Sequence, residues 1–179
     1  MKDRLAAIAS RFELQGPIDE IKPLGEGFIN DTYIVRTEGD APDYILQRKN
    51  HVVFPDVPGM MDNIKAVTEH IKSKVEDPMR ETLTVIPAKD GKLYVEDEGN
   101  WWAVCLFIPG TMNYDRADSP ALAYQGGLGR GRFQSLLADF DKPLNETIKG
   151  FHHIRRRLTQ GGETIAADPA GRVKNLAEE

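Results

Sequence analysis

Two glycines one residue apart, Gly25 and Gly27, stand directly before a strand-like run in the segment GEGFINDTYIV, residues 25–35. A Gly-x-Gly between two antiparallel strands lets backbone N–H groups face a phosphate with no Cβ in the way. The same residues also make a plain hairpin turn. A dinucleotide loop would need a helix after the glycines, and here a strand follows. Phosphate chemistry calls for a cation on a neighbouring strand. The run YILQRKN, 44–50, offers Gln47, Arg48 and Lys49, with Arg48 on the opposite strand face from the other two. Both cations read equally as a solvent-facing edge. An acid that could pair with such a cation is Glu69 in MDNIKAVTEHIKSK, which also reads as a solvated helix charge. The apolar run WWAVCLFIPGT ends in Phe107, Ile108, Pro109 and Gly110. Those four could give a planar ring an apolar slot and free backbone groups, or simply end a core strand in a turn.

Other clusters carry less. Asp139 and Asp141 in ADFDKP close a helix. The adjacent His152 and His153 point in different directions on a helix and, with Arg155, Arg156 and Arg157, read as a polar helix face. Cys105, His51 and His70 lie too far apart in sequence to suggest a zinc site, and there is no Gly-x-Ser-x-Gly. A net charge of −5 removes any general attraction to nucleic acid or an anionic membrane. The single cysteine excludes an internal disulfide and fits a reducing cytoplasm. The opening MKDRLAAIASRFELQG lacks the apolar core of a secretory signal, and no run approaches the roughly 18 apolar residues of a spanning helix.

The elements that must position these residues follow from periodicity. Leu5, Ile8, Ala9 and Phe12 share a face and predict a helix over 2–13. IDEIKPL, INDTYIVRT and YILQRKN read as three strands of an antiparallel meander, with EGDAPD as a polar hairpin connection. Ile29, Asp31, Tyr33 and Val35 fall on one side of the second strand. VFPDVPGM punctuates with two prolines, and a helix follows from Met61 through Ile64, Val67 or Thr68, Ile71 and Val75. Residues 81–110 alternate strands with Lys-Asp-Gly and Asp-Glu-Gly-Asn turns. Together these predict a five-stranded antiparallel sheet with one helix inserted after the third strand. Trp101 and Trp102 read as packing residues.

From residue 111 the pattern turns helical. Ser119 and Pro120 give a cap and a first turn, and Leu122, Leu128, Phe133, Leu136, Leu137 and Phe140 follow. Gly126, Gly127, Gly129 and Gly131 either weaken the middle of this helix or mark close helix packing. One or two further helices are expected over 147–172, and DPAGRVKNLAEE reads as the first turns of another, with Val173 and Leu176 three apart. The chain stopping inside that pattern suggests a fragment. The division expected is a sheet-rich lobe, 1–109, and a helical piece, 110–179, joined at FIPGT.

Strand, glycine loop, strand is the arrangement of protein kinases. PLGEGFINDTYIV, YILQRKNHVVFPDVPGMMDNIKAVTEHI, FIPGT and RFQSLLADFD with LNETIKGFHHIRRRL resemble the aminoglycoside phosphotransferase and choline kinase-like family, most closely its N-acetylhexosamine 1-kinase branch. The resemblance covers nearly the whole chain. It implies an α+β fold: a protein-kinase-like N-lobe followed by the first helices of an incomplete C-lobe. It also implies transfer of the γ-phosphoryl group of Mg·ATP to the anomeric hydroxyl of GlcNAc or GalNAc. On the matching positions, Gly25, Glu26, Gly27, Phe28, Ile29 and Asn30 would cover the phosphates, and Phe107 to Gly110 would hold the adenine. Phe28 and Asn30 could also face the sugar. Gln47 stands where such kinases carry lysine, which puts a pairing with Glu69 in doubt. The family's catalytic loop, a His-x-Asp followed by Asn, and its later magnesium aspartates have no counterpart in 111–179. ATP, Mg²⁺ and a sugar are the expected cofactors and substrate, with the magnesium ligands and the catalytic aspartate expected beyond this chain. The chain alone would then be inactive and its helical segment prone to self-association. The alternative is a non-catalytic nucleotide- or partner-binding module.

Overall fold

The computed structural model describes residues 2–25 and 27–172. The expected helix over Val173 and Leu176 lies outside the described residues. Two compact units form, Met1–Thr147 and Ile148–Glu179. In the first, α1 (Lys2–Ala9) leads into the strands β1 (Ile18–Pro23), β2 (Asp31–Thr37) and β3 (Tyr44–Lys49), then α2 (Val57–Lys72) and the one-turn α3 (Pro78–Glu81). The strands β4 (Val85–Ile86), β5 (Val95–Asp97) and β6 (Asn100–Leu106) and the helix α4 (Pro120–Leu136) follow.

The sheet is antiparallel throughout, in the order β1-β2-β3-β6, with β4 and β5 both paired to β6. It has six strands where five are expected. β4 meets β6 at Val104 and Cys105, and β5 meets it at Asn100 to Trp102. Since β3 takes the other edge of β6, β4 and β5 lie end to end and the sheet is five positions wide.

Each face of the sheet buries one helix. On one face Leu5, Ile8, Ala9 and Phe12 pack with Ile21, Val35, Tyr44, Leu46, Trp102 and Val104. On the other, Val57 and Met61 of α2 pack on Ala103, with Ile64, Val85, Tyr94 and Trp101 around them. This is the period-2 and period-3.6 patterning expected, with local corrections. α1 ends at Ala9, not residue 13. Phe12 reaches the core from a backbone bridge to Ala88. β2 starts at Asp31, so Ile29 lies in the loop and not in the strand alternation. α2 begins at Val57, four residues before Met61, because Pro58 sits in the first turn, where a missing N–H costs nothing. Asp56 caps that turn by accepting the Gly59 N–H at 2.9 Å. α3 had no counterpart in the sequence pattern.

α4 starts as expected, with the Ser119 hydroxyl accepting the Leu122 N–H at 3.1 Å. Its four glycines are exposed, and a Cβ on any of them would meet nothing within 4 Å. They mark no close packing. Leu128 and Phe133 stay exposed, while Leu136 and Leu137 are half-buried.

The C-terminal end of α4 is tied to α2 by charge. Lys74 donates to the Asp139 carboxylate and, at 2.9 Å, to the Leu136 carbonyl, and His70 Nε2 lies 3.2 Å from the same carboxylate. The hydrogen bond from Lys74, helped by His70, holds the Asp139 carboxyl below the usual carboxylate range. A depressed folded-state pKa means this tie is complete above the unfolded value, about 3.9, and is lost as pH falls through the folded one. In a carbon-detected NMR titration the Asp139 carboxyl should therefore titrate below the usual aspartate range, and Lys74→Met should raise it toward that range. A wild-type midpoint at the usual aspartate value, about 3.9, would show that the tie does not form in solution.

The second unit holds α5 (Ile154–Ala167). His153 is its N-cap, accepting the Arg156 N–H on Nδ1 at 3.2 Å, so the His152–His153 pair precedes the helix and is not part of its polar face. Arg157 donates to the Phe151 carbonyl at 3.1 Å and lies over that ring. Ile154, Leu158 and Ile165 are exposed.

Candidate functional site

The loop between β1 and β2 closes with Leu24 N–H on the Thr32 carbonyl at 2.8 Å. Gly25 takes φ +73°, a left-handed conformation that favours glycine, with open space where a Cβ would stand. Gly27 lies so close to the returning chain that a Cβ would sit 3.0 Å from the Asn30 carbonyl oxygen. Glu26 lies outside the described residues. Phe28 at the tip is fully exposed and Ile29 half exposed. The Asn30 side chain is already engaged, its Oδ1 accepting the Asn50 N–H at 2.9 Å. That bond ties the glycine loop to the β3–α2 turn, where the Asn50 side chain in turn accepts from Val52 and Val53.

β3 links this loop to the FIPG segment. Its first residue, Tyr44, pairs with Leu106 at the end of β6, and its last, Lys49, pairs with Trp101. The loop and the FIPG segment thus lie at opposite ends of β3, about 17 Å apart at ~3.3 Å per residue. Ile45, Gln47 and Lys49 line the strand between them on one face. Gln47 is half-buried, and its Nε2 donates to Thr32 Oγ1 at 3.0 Å while its Oε1 accepts from Lys49 Nζ. Burial pushes the Lys49 ammonium below its ordinary pKa, with Cys105 acting in the opposite direction, and burial pushes the Cys105 thiol up. Arg48, on the other face, is held by Asp31 and by Asn100 Oδ1 at 3.2 Å. Glu69 is exposed on α2 and forms no ion pair with Lys49 among the described residues.

At the other end, Phe107, Ile108 and Pro109 line a cavity of about 300 Å³ with Met79, Arg80 and Leu106. Gly110 stands outside it with φ +68°. Not every backbone group here is free. Phe107 N–H donates to the Asp43 carbonyl at 2.9 Å, and the Pro109 carbonyl accepts from Arg80 Nη1 at 2.8 Å. The N–H groups of Ile108 and Gly110 have no partner among the described residues. Arg80 thus shapes the segment, and sequence reading missed it. The available signal was Asp77-Pro78, an N-cap followed by proline at the first helical position.

Chemically, the FIPG cavity can seat a ring, and the backbone N–H groups of the glycine loop, at the other end of β3, can meet an anion. Among the described residues no group of three His, Cys, Asp or Glu side chains comes together to hold a metal ion. No helix among them is long and apolar enough to cross a membrane.

Comparison with known proteins points the same way. The model of the APH phosphotransferase enzyme family matches residues 20–177. Among solved structures, the chain resembles spectinomycin phosphotransferase, APH(9)-Ia, in complex with ADP and spectinomycin, with a TM-score of 0.56 at 12% identity. The match covers 80% of this chain and 39% of that one, so the chain spans well under half the length of the protein it resembles. At that identity the likeness is one of fold.

Proposed function

We propose that this chain, which belongs to the phosphotransferase enzyme family, is the N-terminal portion of an ATP-dependent sugar kinase acting on the anomeric hydroxyl of an N-acetylhexosamine, GlcNAc or GalNAc. The observation that carries the nucleotide part of this reading is the order along β3, with a lined cavity at the FIPG end of the strand and the glycine loop at the other end. Ile108, in the cavity wall, offers a backbone donor for an adenine, and residues 25–30 are assigned to cover the phosphates. Phe28 at the loop tip faces the sugar. The structural neighbour was solved with ADP and a small-molecule substrate, which supports both ligand classes. Residues 1–109 form the N-lobe in this reading, and 110–179 form the hinge and the start of the C-lobe. The enzyme is cytoplasmic.

Magnesium, when bound, would neutralise the phosphates of ATP. In this reading its ligands, and the aspartate that accepts the sugar's proton, belong to a part of the kinase outside this chain. The chain alone then binds Mg·ATP weakly, forms no sugar phosphate, and self-associates through the exposed Leu128, Phe133, Ile154 and Leu158. The absence of a His-x-Asp and Asn loop in 111–179 also favours a second reading, a non-catalytic nucleotide- or partner-binding module. Calorimetric titration with Mg·ATP, followed by an assay for GlcNAc or GalNAc 1-phosphate, tests both. Measurable turnover by this chain would overturn the assignment of its chemistry to a missing part. No heat and no competition with Mg·ATP at millimolar concentration would remove the nucleotide reading.

A further inference from the structure

We propose that the sheet carries a second small-molecule site, between α1 and the strands, which takes an uncharged planar ring with a hydrogen-bond acceptor on its edge. The site lies on the opposite face of the sheet from Ile45, Gln47 and Lys49 and does not depend on the nucleotide reading.

Alternation sends Asp31 and Tyr33 of β2, Arg48 of β3, and Asn100 and Trp102 of β6 to the face that α1 covers. Between the helix and these strands lies a cavity of about 270 Å³. Leu5 and Ile8 form its helix wall. Tyr33 and Trp102 form its sheet wall, with ring centroids 6.2 Å apart. Two rings side by side, faced by two aliphatic side chains, suit a flat apolar ligand. The helix wall precedes residue 20, where the family match begins, so the cavity is not a property of the shared fold.

The charges around the cavity are already matched. Arg48 donates to Asp31 at 2.6 Å and to Asn100 Oδ1 at 3.2 Å. Arg4 donates to Asp97 at 2.8 Å and pairs with Glu98 at 2.7 Å, and Asp97 also faces Arg11 at 3.7 Å. Guanidiniums and carboxylates thus balance. An ion of either sign would have to displace a standing pair, and an uncharged ligand would not. What the lining lacks is an acceptor. Trp102 is 5% exposed, and its indole N–H is buried with no partner among the described residues. An indole nitrogen only donates, and a buried donor left unpaired is costly. A carbonyl on the edge of the bound ring answers it.

The test titrates the full chain with benzamide, benzoate and benzylamine, one ring carrying in turn a neutral acceptor, a negative and a positive group. The readout is the nitrogen-edited NMR spectrum, in which Trp101 and Trp102 give two indole N–H resonances, assigned with Trp102→Phe. Benzamide should shift the Trp102 indole resonance saturably, with a Kd on the order of 1 mM, and leave that of Trp101 in place. Benzoate and benzylamine should each bind at least about fivefold more weakly. Trp102→Phe keeps a ring and removes the donor, and should weaken benzamide by about fivefold, the loss of one hydrogen bond. If that variant does not fold, intermolecular NOEs between benzamide and the Trp102 indole proton of the wild type decide, and their absence overturns the proposal. A Trp102 resonance that stays in place at ten times the expected Kd overturns it, and so does an unchanged benzamide affinity in Trp102→Phe. Tighter binding of benzoate or benzylamine than of benzamide overturns the uncharged class.

Discussion

Phe12→Ala should remove about 3–5 kcal/mol from the unfolding free energy, a large fraction of the roughly 5–15 kcal/mol typical of a domain. Phe12 is 1% exposed and belongs to the cluster that joins α1 to the sheet through Ile21, Val35, Tyr44, Leu46 and Val104. Its truncation forfeits the transfer free energy of a buried ring and leaves a cavity. The backbone around it cannot collapse to fill that cavity. It is pinned by the bridge to Ala88, by Glu13 N–H on the Pro87 carbonyl at 2.9 Å and by Lys89 N–H on the Arg11 carbonyl at 2.8 Å. The family match begins at residue 20, so the segment carrying Phe12 lies outside it. The mutation therefore tests whether this N-terminal segment is part of the lobe's core or an appendage. Urea denaturation followed by tryptophan fluorescence reads it directly, since Trp102 sits in the same cluster. A loss below about 1 kcal/mol would mean that the segment does not pack in solution.

Gly59→Ala is the second large expected effect, and it runs against propensity. In an exposed helix, alanine is favoured over glycine by about 1 kcal/mol. Here the added Cβ would sit 2.2 Å from Asp56 Oδ2, on the side chain that caps α2, and 3.1 Å from the Asn145 Cβ. The cap must rotate away, at a cost of about 1 kcal/mol. Asn145 must retreat too, and it is held by a reciprocal pair with Asn63, 2.8 Å from its N–H to Asn63 Oδ1 and 2.9 Å from Asn63 Nδ2 to its carbonyl. Losing those bonds adds about 1 kcal/mol each, so the net change is a destabilisation of about 2 kcal/mol despite the better helix former. A double-mutant cycle with Asn63→Ala should be strongly non-additive, because both changes release the same contact. An alanine variant at least as stable as the wild type would show that residues around Asn145 do not dock on α2.

Much of the sheet was legible because its strands alternate cleanly and its turns carry Gly, Asp and Asn. The helix beginning at Pro120 was legible because Ser-Pro is a local signal. The start of α2 was not, since Pro58 and Gly59 look like breakers and become intelligible only with Asp56 capping beneath them and Asn145 against them. The short β4 was hard to count because two residues carry no period. The glycines of α4 could not be told from a packing stripe until their surroundings were known.

The site divides the same way. The loop, the β3 face and the FIPG segment were visible as an ordered set of residue types. The engagement of Asn30 by Asn50, of Pro109 by Arg80 and of Lys49 by Gln47 was not. Each depends on which residues from distant parts of the chain end up adjacent, or on a rotamer fixed by a third group, and spacing along one sequence does not encode that.

The position of β6 has a consequence for the order in which the lobe is made. β1, β2 and β3 can zip as local hairpins as soon as they exist, but β6, the neighbour of β3, is the last strand among the described residues. Docking it closes a loop of about fifty residues that contains α2 and α3, the kind of non-local step that limits folding rate. Phe107 to Gly110 follow directly on β6, and Phe107 takes the Asp43 carbonyl only once that strand is seated. The segment proposed to recognise the base is therefore shaped in the same late event that completes the sheet, and a ribosome must release residue 110 before the lobe has anything with which to hold a nucleotide.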